Sequence, residues 1–164
     1  MKQIRNCVFE TNSSSTHSIT LKSKNKYVKP FGVDDLKICF GEYGWEQEQY
    51  SYPEDKLSYV LTMIQYHLNF KWDSKEMKND SIVNTILESK YFKWLKELVL
   101  DYTGRNLIVS NEEVGSWSPA GYIDHQSTDI LDDWWSDDEM EFKKNMKEFI
   151  FNEKYGFMTD NDNH

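Results

Sequence analysis

Cysteine, proline and glycine are scarce in this 164-residue chain, at two, three and seven residues. Two cysteines, Cys7 and Cys39, do not make a disulfide scaffold, and the sequence has neither a C-x-x-C pair nor a Cys/His spacing suited to zinc. The expectation is two buried thiols in a reducing compartment. So little proline and glycine leaves no long linker, which points to one globular domain over residues 1–164. Basic charge is also short, 19 Lys and Arg against 28 Asp and Glu, a net charge of −9. That balance excludes a basic face for duplex DNA, because neutralising phosphates needs clustered Lys and Arg. It leaves room for a small phosphorylated ligand held by hydroxyls and amides, and it suits a metal or a basic protein surface as partner. No run reaches the roughly 18 apolar residues of a membrane span, and the N-terminus has no apolar segment of the secretory kind. The expected protein is soluble and cytoplasmic, without a membrane partner. A P-loop, a Rossmann fingerprint, a nucleophile elbow and an HExxH motif are all missing.

Aromatic residues are plentiful, at 15% of the chain. Each can bury roughly 150–250 Å², so a folded globule with an aromatic-rich core is expected. Residues 3–9, 18–22 and 36–40 read as short strands, the last alternating cleanly before Gly41 to Gly44 breaks it. Pro53 followed by Glu54 and Asp55 signals a helix start, and Leu57, Val60, Leu61, Ile64 and Leu68 then share one face as far as about Asn69. A second helical region runs from about Ser81 to Tyr102, divisible near Ser89 and stopped by Gly104. Residues 106–110 read as a buried strand, and the stretch from there to Tyr122 as a loop. Ser136 and Glu139 form a capping-box pattern, opening a helix with Met140, Met146, Phe149 and Ile150 on its apolar face. Tyr155 to Met158 reads as a closing strand. The sum is an α+β or mixed α/β domain of about five short strands and three to four helices.

Three polar clusters interrupt apolar surroundings. The first is Phe9-Glu-Thr-Asn-Ser-Ser-Ser-Thr-His-Ser18, the second Asp124-His-Gln-Ser127, the third Asp160-Asn-Asp-Asn163. Runs rich in Ser, Thr and Asn are ordinarily turns or caps, but their hydroxyl and amide donors also make an anion-binding loop. His17 shares the strand parity of Ile19 and Leu21, which directs its imidazole inward. Asp124 beside His125 is weak as a motif, since adjacent strand residues face opposite ways. His125-Gln-Ser127 has the H-x-S form of two-histidine phosphoesterases, yet the second copy is absent. A terminal cluster such as Asp160 to His164 is by default solvated.

The opening Phe-Glu-Thr-Asn-Ser-Ser-Ser-Thr-His-Ser, the mid-chain Tyr-Ile-Asp-His-Gln-Ser and the closing Asp-Asn-Asp-Asn resemble landmarks of a family of small uncharacterised proteins of bacteriophages and phage-like elements. The resemblance covers about twenty positions spread over the chain, while the helices carry little of it. It implies a phage origin, hence the host cytoplasm, and a composite site, but no mechanism.

If the clusters meet, three chemistries are open. Thr11, Asn12, Ser13, Ser14, Ser15 and Ser127 can cradle a phosphate while His17 or His125 acts as acid or base. Histidines with Asp124, Asp160 and Asp162 can instead hold a divalent metal such as Zn, Mn or Fe. A serine can also serve as nucleophile, activated by His17 or His125 and oriented by Asp124. The first expectation is therefore a protein that sequesters or processes a phosphate-bearing small molecule, a nucleotide foremost, with His17, His125 and Asp124 in catalytic positions and Asp160 and Asp162 as metal ligands.

Separately, residues 129–141 hold seven acids and no base around Trp134 and Trp135. A helix N-terminus with core tryptophans accounts for this. The alternative is a non-enzymatic acidic protein that inhibits a basic host factor, with Trp134 and Trp135 as partner-binding residues.

Overall fold

Pro53 occupies the first turn of a fifteen-residue helix, with Glu54 and Asp55 beside it where the helix dipole favours acids. In the computed structural model, which describes residues 19–21, 34–44, 48–68, 79–110 and 120–159, this helix is central to the packing. The chain order is β1 (Ile19–Leu21), β2 (Leu36–Ile38), β3 (Glu42–Tyr43), β4 (Gln49–Tyr50), α1 (Pro53–His67), α2 (Asn79–Glu88), α3 (Lys90–Thr103), β5 (Leu107–Val109), β6 (Tyr122–Ile123), a 3-10 segment (His125–Leu131), α4 (Glu139–Phe151) and β7 (Gly156–Met158). The architecture is α+β. Helix α1 touches α2, α3, α4, β2 and β6, and its Leu57, Val60, Leu61 and Ile64 are wholly buried. Burying each such side chain stabilises by roughly 1.5–3 kcal/mol.

The long helical region is divided by Ser89, whose extended backbone ends α2 and whose hydroxyl accepts from Phe92 N at 3.2 Å to cap α3. Gly104 closes α3 in the left-handed region, φ +73°, with its N–H on Leu100 O at 2.8 Å. Helix α4 starts two residues later than Ser136 implied. Asp138 is the cap, accepting from Glu141 N at 2.9 Å, while Ser136 donates to the Glu141 carboxylate. That phase turns Phe142 fully inward and leaves Met140 81% exposed, so Met140 does not belong to the core face. The far end of α4 is closed by Lys56. Its buried ammonium donates to the carbonyls of Phe149, Asn152 and Tyr155 at 3.1, 3.2 and 2.5 Å. Burial pushes Lys56 down to about 8, which leaves it charged at neutral pH with three donors for three acceptors.

Strand β7 lies between β1 and β4, antiparallel to both, with Ile19 opposite Met158 and Tyr50 opposite Phe157. The other two pairs are parallel, β2 with β5 and β3 with β6, and in each the helices supply the crossover that parallel pairing requires. Gly41 to Gly44 is thus more than a strand break, for Glu42 and Tyr43 pair with Tyr122 and Ile123. The pairing depends on Gly121, φ +73°, because a Cβ there would stand 2.2 Å from Gly41 O. Cys39 is a free, half-buried thiol rather than a buried one. The expected strand at 3–9, like Cys7, lies outside the described residues. Among the described residues no helix is long and apolar enough to cross a membrane.

Candidate functional site

Tyr59 and Tyr66 are seven residues apart on α1, hence on one face, and both point their hydroxyls at the segment that carries Asp124. Tyr66 donates to Ile123 O at 2.6 Å and accepts from Ile123 N at 2.9 Å. Tyr59 donates to Ser127 O through a short hydrogen bond. Gln65, between them, donates to Ala120 O at 3.0 Å. Burial raises all of these phenols, Tyr66 to about 12 and Tyr59 further, so they act as neutral donors at any physiological pH. Helix α1 is in this way a clamp on residues 120–127.

The clamped segment changes direction just after β6. Asp124 N donates to Tyr43 O at 2.9 Å, ending the β3–β6 ladder, and Ser127 N folds back to Asp124 O at 2.8 Å. Gly44 makes this turn possible. Its φ is +95°, and a Cβ would meet Asp124 Cβ at 2.4 Å and Ser127 Oγ at 3.2 Å. Because the chain leaves the strand here, Asp124 and His125 do not point to opposite faces as adjacent strand residues would. The Asp124 carboxylate lies 3.3 Å from His125 Nδ1 and takes the Tyr122 hydroxyl at 3.2 Å. The His125 side chain is 75% exposed and that of Asp124 only 17%. A half-sheltered carboxylate therefore orients an imidazole whose other face meets water, the arrangement expected of a ligand-facing or proton-transferring histidine.

Ser127 is fully buried. It supports the turn from within, while His125 is the more exposed of the two. The remaining expected residues, Thr11, Asn12, Ser13, Ser14, Ser15, His17, Asp160 and Asp162, lie outside the described residues. Ile19 and Thr159, where their two runs join the described chain, sit at one end of the three-stranded sheet, since Ile19 pairs with Met158. Beneath that sheet the Phe157 ring lies 4.5 Å from Tyr59 and 4.8 Å from Tyr50. The floor of the sheet and the clamp on the Asp124 turn thus share Tyr59. Among the described residues no group of three or more His, Cys, Asp or Glu is placed to hold a metal.

Trp134 and Trp135 are half-buried and packed against the core. Trp134 meets Phe149 and Tyr155, while Trp135 stacks on His67 at 3.6 Å and 8°. All seven acids of 129–141 are exposed. Asp137 binds Lys90 at 2.9 Å and the Tyr91 hydroxyl, and Glu139 binds Lys143 at 2.6 Å. Sequence reasoning had no place for Tyr59, Tyr66 or Lys56, and took Gly44 only as part of a strand break. The available signal was two tyrosines one heptad apart on an apolar helix face, since buried hydroxyls require partners. No protein-family model, curated protein or solved structure matches the chain.

Proposed function

We propose that this is a phage-type protein that binds a phosphate-bearing small molecule, a nucleotide foremost, and sequesters or processes it at the Asp124–His125 turn. The observation that carries the reading is the exposed imidazole of His125 oriented by a sheltered Asp124 carboxylate. A phosphate oxygen is a natural acceptor for an N–H of such an imidazole, and the same group can exchange a proton with it. Further support is that Ile19 and Met158, which lie next to or near the 11–18 and 160–163 runs in sequence, are paired at one end of the sheet. Those runs would add the hydroxyls of Ser13, Ser14 and Ser15, the imidazole of His17, and Asp160 and Asp162 for closure or a divalent metal.

The test is a thermal-shift screen of nucleotides, cyclic nucleotides and divalent metals on the wild type, His125→Ala and His17→Ala. A ligand at a hundredfold excess over Kd stabilises by about 2.7 kcal/mol. The expected result is at least one ligand whose shift in the wild type both variants reduce, with His125→Ala alone changing stability by no more than about 0.5 kcal/mol because its side chain is exposed. A screen in which neither substitution reduces the shift of any ligand rules the site out.

A second reading, inhibition of a basic host factor, is favoured by one observation, the exposure of every carboxylate from Asp129 to Glu141. Burial, and to a lesser degree the neighbouring Asp129 and Asp133, raises Asp132. On this reading the carboxylates make the contact, the indoles being packed inward, and binding weakens steeply with salt.

A further inference from the structure

A groove of about 510 Å³ runs between Trp134 and helix α4, lined by Trp134, Lys144, Asn145, Lys147 and Glu148. Its volume falls within the range of small-molecule sites. Its two lysines differ from Lys56, Lys90 and Lys143 around α4, and share with Lys154 just beyond the helix the lack of a carboxylate partner among the described residues. Lys56 is consumed by three carbonyls, Lys90 by Asp137, and Lys143 by Glu97 and Glu139. No carboxylate among the described residues lies within 4.0 Å of the Lys144 or Lys147 ammonium. In a chain of net charge −9, two ammonium groups one helical turn apart beside an indole, without a carboxylate partner among the described residues, form a local concentration of positive charge. They stand at i and i+3, close enough for both to reach one anionic group.

The aromatic wall is fixed before anything binds. Trp134 is held by Phe149 at 5.7 Å and by Tyr155 at 5.3 Å, edge to face. Lys147 is likewise held, its ammonium 5.0 Å above the Tyr102 ring. Glu148, the one acid of the groove, is engaged by the Asn152 amide at 2.5 Å. An indole plane offers stacking, and the two lysines offer charge to a group at the edge of the stacked ring.

We infer that the groove between Trp134 and α4 binds a planar aromatic ring bearing an anionic group, a ligand of mononucleotide size. The inference does not rest on the Asp124–His125 site, and its test separates the two. Adenosine 5′-monophosphate is titrated into the full chain while the indole N–H resonance of Trp134 is followed, that resonance being assigned by its loss in Trp134→Phe. The expected result is a saturable shift whose Kd rises about tenfold in Lys144→Gln/Lys147→Gln, both positions being exposed and compatible with an intact fold. Adenosine without phosphate, and inorganic phosphate without the ring, should each bind at least as weakly as the nucleotide binds to that variant. An unmoved Trp134 resonance, an unchanged Kd in the lysine variant, or adenosine binding as tightly as its monophosphate overturns the inference. Loss of the Trp134 shift in His125→Ala would place the nucleotide at the other site and overturns it equally.

Discussion

At residues 120–127 phenols reach out of α1 to hold a polar turn, whereas at 129–141 carboxylates face water and two indoles turn inward. The two regions are adjacent in sequence and equally conspicuous as polar interruptions. They differ in what lies opposite. The turn faces the buried side of α1, where hydroxyls need acceptors and find the carbonyls of Ile123 and Ser127. The acidic stretch leads into the N-terminus of α4, where Asp138 caps the helix and acids are favoured by the dipole. A polar side chain in the first region is part of the packing. In the second, the packing is done by Trp134 and Trp135, and acids at the surface cap α4 or pair with Lys90 and Lys143.

The comparison can be broken most sharply at Trp135. Trp135→Ala removes an indole that stacks on His67 and touches Tyr91 and Phe142, and should cost about 3 kcal/mol in urea unfolding. A loss below about 1 kcal/mol would mean that the indole is a surface group after all. The next effect is expected at Gly44→Ala, which forces an alanine into φ +95° against Asp124 Cβ. About 2 kcal/mol should be lost, with the His125 ring resonances displaced by the same change. An unaltered His125 environment would show that the turn does not depend on Gly44.

The smallest expected effect is a pH dependence. Burial lowers His67 from 6.5 to about 4, against a smaller opposing pull from Asp137, and its Nε2 is buried without a partner among the described residues. Between pH 6.5 and 4 the unfolded chain therefore binds a proton that the folded chain refuses. Stability is full above pH 6.5 and declines as pH falls toward 4, by roughly 1–2 kcal/mol after allowance for partial exposure. The decline should be absent from His67→Gln. A variant that keeps the same slope would assign the pH dependence to the carboxylates instead.

The helices were legible because their signals are local. Pro53 with its acids, Ser89 as a break and Gly104 as a stop each act within one turn of chain, and the apolar stripe of α1 follows from spacing alone. The start of α4 was misread by two residues because Ser136, Asp138, Glu139 and Glu141 offer competing caps. Burial of Phe142 rather than Met140 chose between them. The β3–β6 pair was illegible, since two-residue strands carry no period and depend on a partner about eighty positions away.

For the candidate site, the sequence by itself determined which polar residues were available and that Asp124 and His125 were neighbours. It could not determine that they face each other, because facing depends on the chain turning at Gly44 and on hydroxyls from a helix more than fifty residues earlier. The same holds for Lys56, which reads as an ordinary exposed lysine of α1 until the end of α4 is laid against it. Local propensity sets the elements within a few residues of chain. The pairing of a buried donor with its acceptor is set by packing between distant segments, and only the tertiary structure decides it.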